Sequence, residues 1–302
     1  MKMSVHNNYK NELSTQLIEN ISANPRPATL PPQATPSCTV ITPVNRVDSA
    51  TTRGGVKAPS PYSRREIEQF WVGLLDGDGS IQCNHWRKRN LQYRFCIKLK
   101  YHPKNLEMLQ LISAVIGGNV RLVKSDAVLW VENHQRRIWK LSEILSRYPP
   151  LTSRVYHQWQ FLKECGRRKN VSWMLANRTH KYDGCSEYVA RARSCGSAPI
   201  LGHSYWPIWC SGFIEAEGCF SVGSVAYPSF SIGQKNDGYL IAALRDYFAG
   251  VNKVRLVKDQ LYHWQVYRRD VLVRIRDHCR HYPLLGEKGV SAKHFFKHKS
   301  LL

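Results

Sequence analysis

The amino-acid sequence predicts an α+β protein made of two pseudo-symmetric halves, each with the element order αββαββα. One ten-residue pattern occurs twice, at residues 71–80 and 209–218. Each copy is an apolar helical stretch that ends in a small residue, an acid and a glycine. The two acids, Asp78 and Glu217, lie far apart in the chain. Their separation is too long for a solenoid repeat and suits one small domain duplicated in tandem.

The elements of the first half follow from local patterns. Ser63 and Glu66 form a capping-box pattern just before an apolar periodic run, which predicts a helix that continues to Asp78. Apolar and polar residues then alternate in a strand, and two adjacent glycines end the helix that follows it. After the first helix, the predicted elements are strands at 81–86 and 91–99, a helix at 103–116, strands at 119–124 and 127–132, and helices at 136–147 and 153–164.

The second half repeats this order. Residues 119–124 match residues 253–258, and the Tyr-Pro pair at 148 recurs at 282, both with the same offset along the chain. A helix starts near Ser204, where Pro207 is tolerated in the first turn. The later elements are predicted as strands at 219–225 and 229–234, a helix at 239–248, strands at 253–257 and 261–266, and helices at 269–281 and 291–298.

Four segments therefore make up the predicted domain organisation. Residues 1–62 are rich in Ser, Thr, Asn and Pro, and a disordered extension is expected there. The first half spans residues 63–170 and the second spans residues 204–302. A basic linker at residues 171–203 joins them.

The overall composition favours a polyanionic partner. The 302 residues carry a net charge of +22, and 43% of them are hydrophobic, enough for ordinary cores. On charge alone, basic proteins of membrane surfaces and ribosome-associated proteins remain alternatives to a nucleic-acid-binding protein. No apolar run reaches the roughly 20 residues of a membrane span, and the N-terminus has no signal-peptide core. Nine cysteines without a CxxC pattern indicate free thiols in a reducing compartment.

The repeated pattern also predicts a metal site. Small residues recur four apart in each copy, as Gly73 and Gly77 in the first and as Gly212 and Ala216 in the second. Positions i and i+4 share a helix face, and small residues there let two helix backbones approach closely. If the helices cross at these faces, their C-terminal ends bring Asp78 and Glu217 together. Because two adjacent carboxylates repel each other, the pair predicts a site for a hard divalent cation.

These segments resemble the motifs of the LAGLIDADG homing endonucleases, in the single-chain form that carries two motif copies. The resemblance extends over both αββαββα halves, about residues 63–302. It implies that the motif helices form the interface between the halves and that saddle-shaped sheets lie along the DNA major groove. It also implies that Asp78 and Glu217 bind Mg²⁺ or Mn²⁺, which would support phosphodiester hydrolysis. Asp76 and Glu215 would support the interface.

Accessory residues follow from the same resemblance, because the family places a Gln and a basic residue near the metal-bound waters. In the second half these positions correspond to Gln234 and Lys288. In the first half they correspond to Leu99 and Arg154. Leu99 departs from the family pattern and cannot order water, so the two halves are expected to cut the two strands with unequal efficiency.

Base recognition is expected on the exposed strand faces, where Arg and Gln suit base edges and Lys contacts phosphate more often. The second hairpin is the shorter one, because fewer residues separate Glu217 from Phe230 than separate Asp78 from Phe95. The candidate DNA-binding residues are Gln82, Asn84, Gln92, Arg94, Lys98 and Arg121 in the first half, and Ser221, Ser231, Arg255, His263 and Gln265 in the second.

The sequence is compatible with three candidate functions. The first is a site-specific DNA endonuclease of the intron-homing kind, acting as a monomer on double-stranded DNA. The second is a maturase that binds the host intron RNA and assists its splicing, with cleavage weak or lost. The third is a non-catalytic DNA-binding module, against which the retention of both motif acids argues. The resemblance further implies a location in the mitochondrion or chloroplast, and the lack of a long apolar run predicts a soluble protein with no membrane partner.

Overall fold

The computed structural model describes residues 60–123, 126–222 and 228–297, all within one compact unit, Ala58–Leu302. Most of the predicted disordered extension therefore lies outside the described residues. Tyr62, at the edge of that extension, is buried, and its hydroxyl donates a 3.1 Å hydrogen bond to the Pro283 carbonyl. The ordered chain thus begins slightly before the predicted boundary.

The first half has the predicted element order. The predicted capping box is present: the Ser63 hydroxyl accepts from the Glu66 N–H, and the Glu66 carboxylate accepts from the Ser63 N–H at 2.7 Å. The elements are α1 Arg64–Asp78, β1 Gly79–Trp86, β2 Asn90–Lys100, α2 Pro103–Ile116, β3 Asn119–Val123, β4 Ala127–Glu132, α3 Gln135–Arg147 and α4 Ser153–Arg168.

The segment between the halves is largely helical. It contains α5 Val171–Asn177, α6 Cys185–Ser194 and α7 Ala198–Leu201. The Tyr188 ring on α6 stacks on Tyr156 of α4, with 4.7 Å between the ring centroids. The same ring lies 6.2 Å from Tyr239 of the second half, and Arg193 donates a 3.1 Å hydrogen bond to the Tyr262 hydroxyl, so the predicted basic linker packs against both halves.

The second half repeats the order, but three of its elements differ from the prediction. The strand predicted at 253–257 spans only Arg255–Leu256. The predicted strand at 219–225 ends at Ser221, and residues 223–227 lie outside the described residues. The prediction of the last helix at 291–298 is wrong, because this helix begins at Glu287. The N–H groups of Gly286 and Lys288 at its start donate to the Glu215 carboxylate, which stabilises the earlier start. The elements are α8 Trp206–Glu217, β5 Cys219–Ser221, β6 Ser229–Lys235, α9 Gly238–Tyr247, β7 Arg255–Leu256, β8 Leu261–Val266, α10 Arg269–His281 and α11 Glu287–Phe295.

The two sheets have the same topology. Each is antiparallel and four-stranded, in the orders β1-β2-β4-β3 and β5-β6-β8-β7. In the first sheet Arg121 pairs with Leu129, and in the second Arg255 pairs with His263, so the register repeats at the offset found in the sequence. This repeated register confirms the duplicated α+β fold.

The helices cover one face of each sheet and leave the other face open. Phe95 and Trp130 of the first sheet, and Phe230 and Trp264 of the second, are fully buried on the covered faces. Within the described part of the chain, no helix has both the length and the apolar character needed to cross a membrane.

Candidate active site

The two motif helices, α1 and α8, pack directly against each other. A Cβ built on Gly73 would lie 2.0 Å from the Trp209 carbonyl oxygen, and one built on Gly212 would lie 2.0 Å from the Phe70 carbonyl oxygen. Only glycine leaves room for such close backbones. The crossing of the motif helices at their small residues is therefore confirmed.

The C-terminal ends of the two motif helices, which carry the last acids of the motifs, are brought together by this crossing. A Cβ on Gly77 would lie 2.3 Å from the Ala216 Cβ and 3.5 Å from Glu217 Oε1. The Glu217 carboxylate thus lies against Gly77, the residue before Asp78 at the end of α1, and both acids are half-buried. They stand where β1 and β5 begin, at the negative ends of two helix dipoles, which favour a cation.

The donor set fits a hard cation with few protein ligands. Among residues 60–123, 126–222 and 228–297, no group of three or more His, Cys, Asp or Glu side chains could hold a metal ion. A cation between Asp78 and Glu217 would therefore have carboxylate oxygens as its ligands and take the rest from water or substrate. Mg²⁺ accepts this kind of coordination, since it keeps several waters and uses one or two carboxylates.

Asp76 has the supporting role that was expected of it. The carboxylate is fully buried and accepts hydrogen bonds from the N–H groups of Leu151 and Thr152 at 2.8 and 3.1 Å, and also from the Thr152 hydroxyl. The Trp209 indole of the other motif helix donates a fourth bond at 2.8 Å. Burial raises the pKa of Asp76 to about 6, while these donors oppose the rise. Asp76 thus joins α1, α8 and the start of α4.

Glu215 has the corresponding supporting role in the second half. Its carboxylate accepts from the Gly286 N–H at 3.0 Å and from the Lys288 N–H at 2.9 Å, at the start of α11. Burial raises the pKa of Glu215 to about 7, and the two N–H donors and the Lys288 charge oppose the rise. Each motif therefore uses its earlier acid to anchor the helix that carries a predicted basic residue.

Arg154, the predicted basic residue of the first half, is bound to the backbone. Its guanidinium donates to the carbonyls of Gly79, Asp76 and Gly77 at 2.5, 2.8 and 3.0 Å. These carbonyls flank Asp78 at the end of α1. The guanidinium thus caps the C-terminus of the motif helix, a position where the helix dipole favours a cation.

The predicted water-ordering position differs between the halves. Gln234 of β6 pairs with Tyr262 and is 8% exposed. Leu99 of β2 pairs with Val128, and its side chain lies partly buried against the core. Both residues point to the covered face of their sheets, because Phe95 and Phe230, four residues before each, do so.

The candidate DNA-binding residues of the first half share the open face of the sheet. Gln82 pairs with Arg94, and Asn84 pairs with Gln92. Directly paired residues point to the same face, and Ile81 and Phe95, at alternate positions, are buried on the other face. Lys98 and Arg121 both pair with Leu129 and lie on the open face as well.

The second-half candidates also share one face, although they are less accessible. Ser231 pairs with Gln265, and Arg255 pairs with His263. Ser231 is only 8% exposed, so its hydroxyl is less available than predicted. Burial, followed by the nearby Arg255 charge, lowers the pKa of His263. Ser221, at the end of β5, is half-buried.

Asp237 was not singled out from the sequence. This carboxylate of the second half is 1% exposed, and it accepts a 3.1 Å hydrogen bond from the Ser153 N–H in the first turn of α4. Burial raises its pKa to about 7. In the sequence, Asp237 follows Lys235-Asn236 in the second half, and His102 follows Lys100-Tyr101 in the first half. This correspondence marks Asp237 as a helix start. Its contact with the other half has no sequence signal.

Comparison with known proteins agrees with this architecture. The sequence profile of the LAGLIDADG endonuclease family matches residues 71–165 and 210–298. A probable intron-encoded endonuclease aI3 of Debaryomyces hansenii is 39% identical over 259 residues, which cover 76% of this chain and 38% of that protein. The protein of the same name in Dictyostelium citrinum is 38% identical over 234 residues, which cover 76% of this chain and 93% of that protein. The chain thus spans well under half of the first relative and nearly all of the second.

Solved structures share the fold at low sequence identity. The LAGLIDADG meganuclease I-AabMI bound to uncleaved DNA is 23% identical, with a TM-score of 0.57 over 76% of this chain and 89% of that one. I-SmaMI bound to an uncleaved DNA target in the presence of calcium is 17% identical, with the same TM-score and the same two coverages. With its profile matches in both halves and its two motif helices packed through glycine, the chain belongs to the LAGLIDADG endonuclease family.

Proposed function

We propose that the protein is a site-specific double-strand DNA endonuclease of the intron-homing type, with Mg²⁺ or Mn²⁺ as its cofactor. The observation that carries this proposal is the position of the Glu217 carboxylate against Gly77, the residue before Asp78, at the adjoining ends of two closely packed helices. A divalent cation held there would activate water and stabilise the leaving oxygen of a phosphodiester.

Each functional residue of the chain has a separate role in this proposal. Asp78 and Glu217 hold the cation, and the open faces of the two sheets bind the duplex through their polar side chains. Arg154 holds the end of α1 in position through three carbonyls, which keeps Asp78 in a defined orientation. Lys288, in the first turn of α11, brings a positive charge to the corresponding place in the second half.

The two halves are proposed to cut their strands at unequal rates. The second half carries Gln234 and Lys288, which offer an amide and an ammonium to order water. The first half carries Leu99, which offers neither donor nor acceptor, and Arg154, whose guanidinium donates to three backbone carbonyls. The strand served by the first half is therefore expected to be cut more slowly.

The net charge of +22 supports a polyanionic partner, and double-stranded DNA fits the open faces. A single chain already supplies both motif carboxylates, so we propose that the active species is a monomer. We further propose an organellar location, in the mitochondrion or chloroplast, from the likeness to relatives named as intron-encoded endonucleases.

Cleavage of a DNA library tests the function. The wild-type protein is incubated with Mg²⁺ and candidate intron-insertion duplexes or a randomised library, beside Asp78→Asn and Glu217→Gln. Glu187→Gln is the matched control, because Glu187 is an exposed carboxylate of α6. Specific double-strand breaks that both motif variants lose and the control keeps are the expected result.

An intron-binding maturase is the second candidate, favoured by Leu99 and by the exposed Arg191 and Arg193 of the linker helix α6. It predicts tight binding to the host intron RNA and no cleavage of any duplex by the wild type. That outcome would overturn the endonuclease proposal.

A further inference from the structure

The helices that carry the two basic residues begin in the same way. α4 begins at Ser153, just before Arg154, and α11 begins at Glu287, just before Lys288. The first N–H groups of a helix have no acceptor within it and need one from elsewhere. In each half the earlier acid of the motif meets part of this need. Another part is met from the opposite half.

The start of α4 is bound by two side chains of the second half. The Ser153 N–H donates to the Asp237 carboxylate at 3.1 Å, and the Tyr239 hydroxyl donates to the Leu151 carbonyl at 2.6 Å. An aspartate just before a helix ordinarily accepts from that helix, but Asp237 makes no such bond within α9, all of which is described. Burial raises the pKa of Asp237 to about 7, and the Arg154 charge opposes the rise. The Asp237 carboxylate therefore serves the helix of the other half.

The start of α11 is bound by a side chain of the first half. The Glu287 N–H donates to Asn105 Oδ1 at 2.8 Å, and Asn105 Nδ2 donates to a Glu287 carboxylate oxygen at 3.4 Å. A further bond from Asn105 Nδ2 to the Lys100 carbonyl, at 3.1 Å, fixes the orientation of the amide. A Cβ built on Gly286 would lie 2.6 Å from Asn105 Oδ1, so a glycine leaves the room that this contact needs.

The two contacts are reciprocal. Ser153 and Glu287 occupy equivalent positions, at the same offset that relates the two Tyr-Pro pairs. Their partners, Asp237 and Asn105, are both buried in the interior, at 1% and 6% exposure. Each partner lies at the start of the helix that follows the second strand of its half. Each half therefore supplies one buried acceptor to the helix that carries the basic residue of the other.

We propose that Asp237 and Asn105 are positioning residues that couple the two cleavage sites across the halves. Asp237 of the second half fixes the start of α4 and with it the Arg154 guanidinium. Asn105 of the first half fixes the start of α11 and with it Lys288. This inference rests on the proposed function. It has a crossed consequence, because the loss of either positioning residue disturbs the basic residue of the opposite half.

Strand-resolved cleavage tests this crossed dependence. Each strand of the duplex selected in the cleavage experiment carries its own fluorescent label, and Arg154→Lys and Lys288→Met identify the strand that each half serves. Asp237→Ala is expected to slow the strand identified by Arg154→Lys about tenfold, which corresponds to about 1.4 kcal/mol of activation free energy. Asn105→Ala is expected to slow the strand identified by Lys288→Met to a similar extent. In each variant the other strand is expected to be less affected. Because both strands are measured in one reaction, the ratio of their rates does not depend on the fraction of folded protein.

Two further variants separate positioning from a general loss of contact between the halves. Asp237→Asn keeps an oxygen that can accept the Ser153 N–H, so the wild-type ratio of strand rates is expected to return. Tyr62→Phe removes a different bond to the second half, the 3.1 Å bond from the Tyr62 hydroxyl to the Pro283 carbonyl, and is expected to leave the ratio unchanged. If Asp237→Ala does not fold, Asp237→Ser, whose side chain is shorter than that of aspartate, takes its place with the same expected result.

The outcomes distinguish this inference from the proposed function. If Asp237→Ala and Asn105→Ala slow the strands of their own halves, or slow both strands equally, the inference is overturned, while cleavage by the wild type leaves the proposed function standing. A change of strand ratio in Tyr62→Phe as large as that in Asn105→Ala would also overturn it. A wild type that cuts no duplex would overturn both.

Discussion

The Trp209 indole on the second motif helix donates a 2.8 Å hydrogen bond to Asp76 on the first. The same carboxylate receives the N–H groups of Leu151 and Thr152 from the start of α4. One buried group therefore joins both halves and the helix that carries Arg154. The glycine packing of the motif helices makes this contact possible, since it brings the two helix backbones close together.

Replacing Asp76 is expected to destabilise the protein strongly. Asp76→Ala leaves the buried N–H groups of Leu151 and Thr152 and the Trp209 indole without their acceptor, and each such group costs about 1–3 kcal/mol. We expect the free energy of unfolding to fall by at least about 3 kcal/mol in urea titrations. Glu187→Ala, at a carboxylate that is 80% exposed, should cost less than about 0.5 kcal/mol. Equal losses for the two variants would contradict the role of Asp76.

The glycines at the helix crossing should not tolerate a methyl group. In Gly73→Ala the new Cβ meets the Trp209 carbonyl oxygen, a backbone atom that cannot move alone. The helices must separate, at an expected cost of about 3 kcal/mol, and cleavage should fall because Asp78 and Glu217 move apart. In Gly202→Ala the nearest neighbouring atom would be 3.3 Å away and φ is −73°, so stability should change by less than about 1 kcal/mol. Thermal unfolding and cleavage assays decide between these outcomes.

The shape of the Arg154 side chain should matter as well as its charge. Arg154→Lys keeps the charge but loses the planar fork that reaches three carbonyls. We expect cutting of the strand served by the first half to slow about tenfold, as about 1.4 kcal/mol in activation free energy predicts. The other strand should be less affected. A supercoiled plasmid assay, which separates nicked from linear product, measures both rates. A Lys variant with wild-type rates would show that charge alone suffices.

Restoring an amide in the first half should reduce the difference between strands. Leu99→Gln places at the first site the side-chain type that Gln234 provides at the second. We expect less nicked intermediate to accumulate than with the wild type, while Leu99→Met, which preserves side-chain volume, should leave the ratio unchanged. If both variants give the wild-type ratio of nicked to linear DNA, Leu99 is not the cause of asymmetry.

His278 makes stability depend on pH. It is 7% exposed, and its ring nitrogens contact the Ser211 hydroxyl at 3.0 Å and the Tyr247 hydroxyl at 3.2 Å. Burial, with a smaller effect of His281, lowers the pKa of His278 to about 3. In the unfolded chain, His278 takes up a proton when the pH falls below its ordinary pKa, near 6.5. In the folded protein, it takes up that proton only when the pH falls to about 3. The contribution of His278 is therefore complete above pH 6.5 and is lost as the pH falls towards 3.

The measurement is a pair of urea titrations across that window. The difference in unfolding free energy between wild type and His278→Ile should be constant above pH 6.5 and should decrease by up to about 1.4 kcal/mol per pH unit below it. Isoleucine is the residue at the matching position of the first half, Ile144. A difference that stays constant down to pH 4 would contradict the burial of a neutral His278.

Sequence alone determined the elements and their duplication, because these depend on near neighbours. The capping box at Ser63, the alternation in β2 and the glycines after Ile116 each act within a few residues, and all are present as predicted. The small residues at i and i+4 likewise identified the helix faces that meet. The same faces predict that Asp78 and Glu217 lie close together.

Tertiary structure alone decided which groups meet across the halves. Arg154 donates to three carbonyls instead of facing water, and Asp237 accepts from the Ser153 N–H. Both contacts depend on segments that are far apart in the chain. The start of α11 was misplaced for the same reason, because its N–H groups are satisfied by Glu215, a distant side chain, and not by a local cap. Such contacts arise from packing, which a linear pattern does not encode.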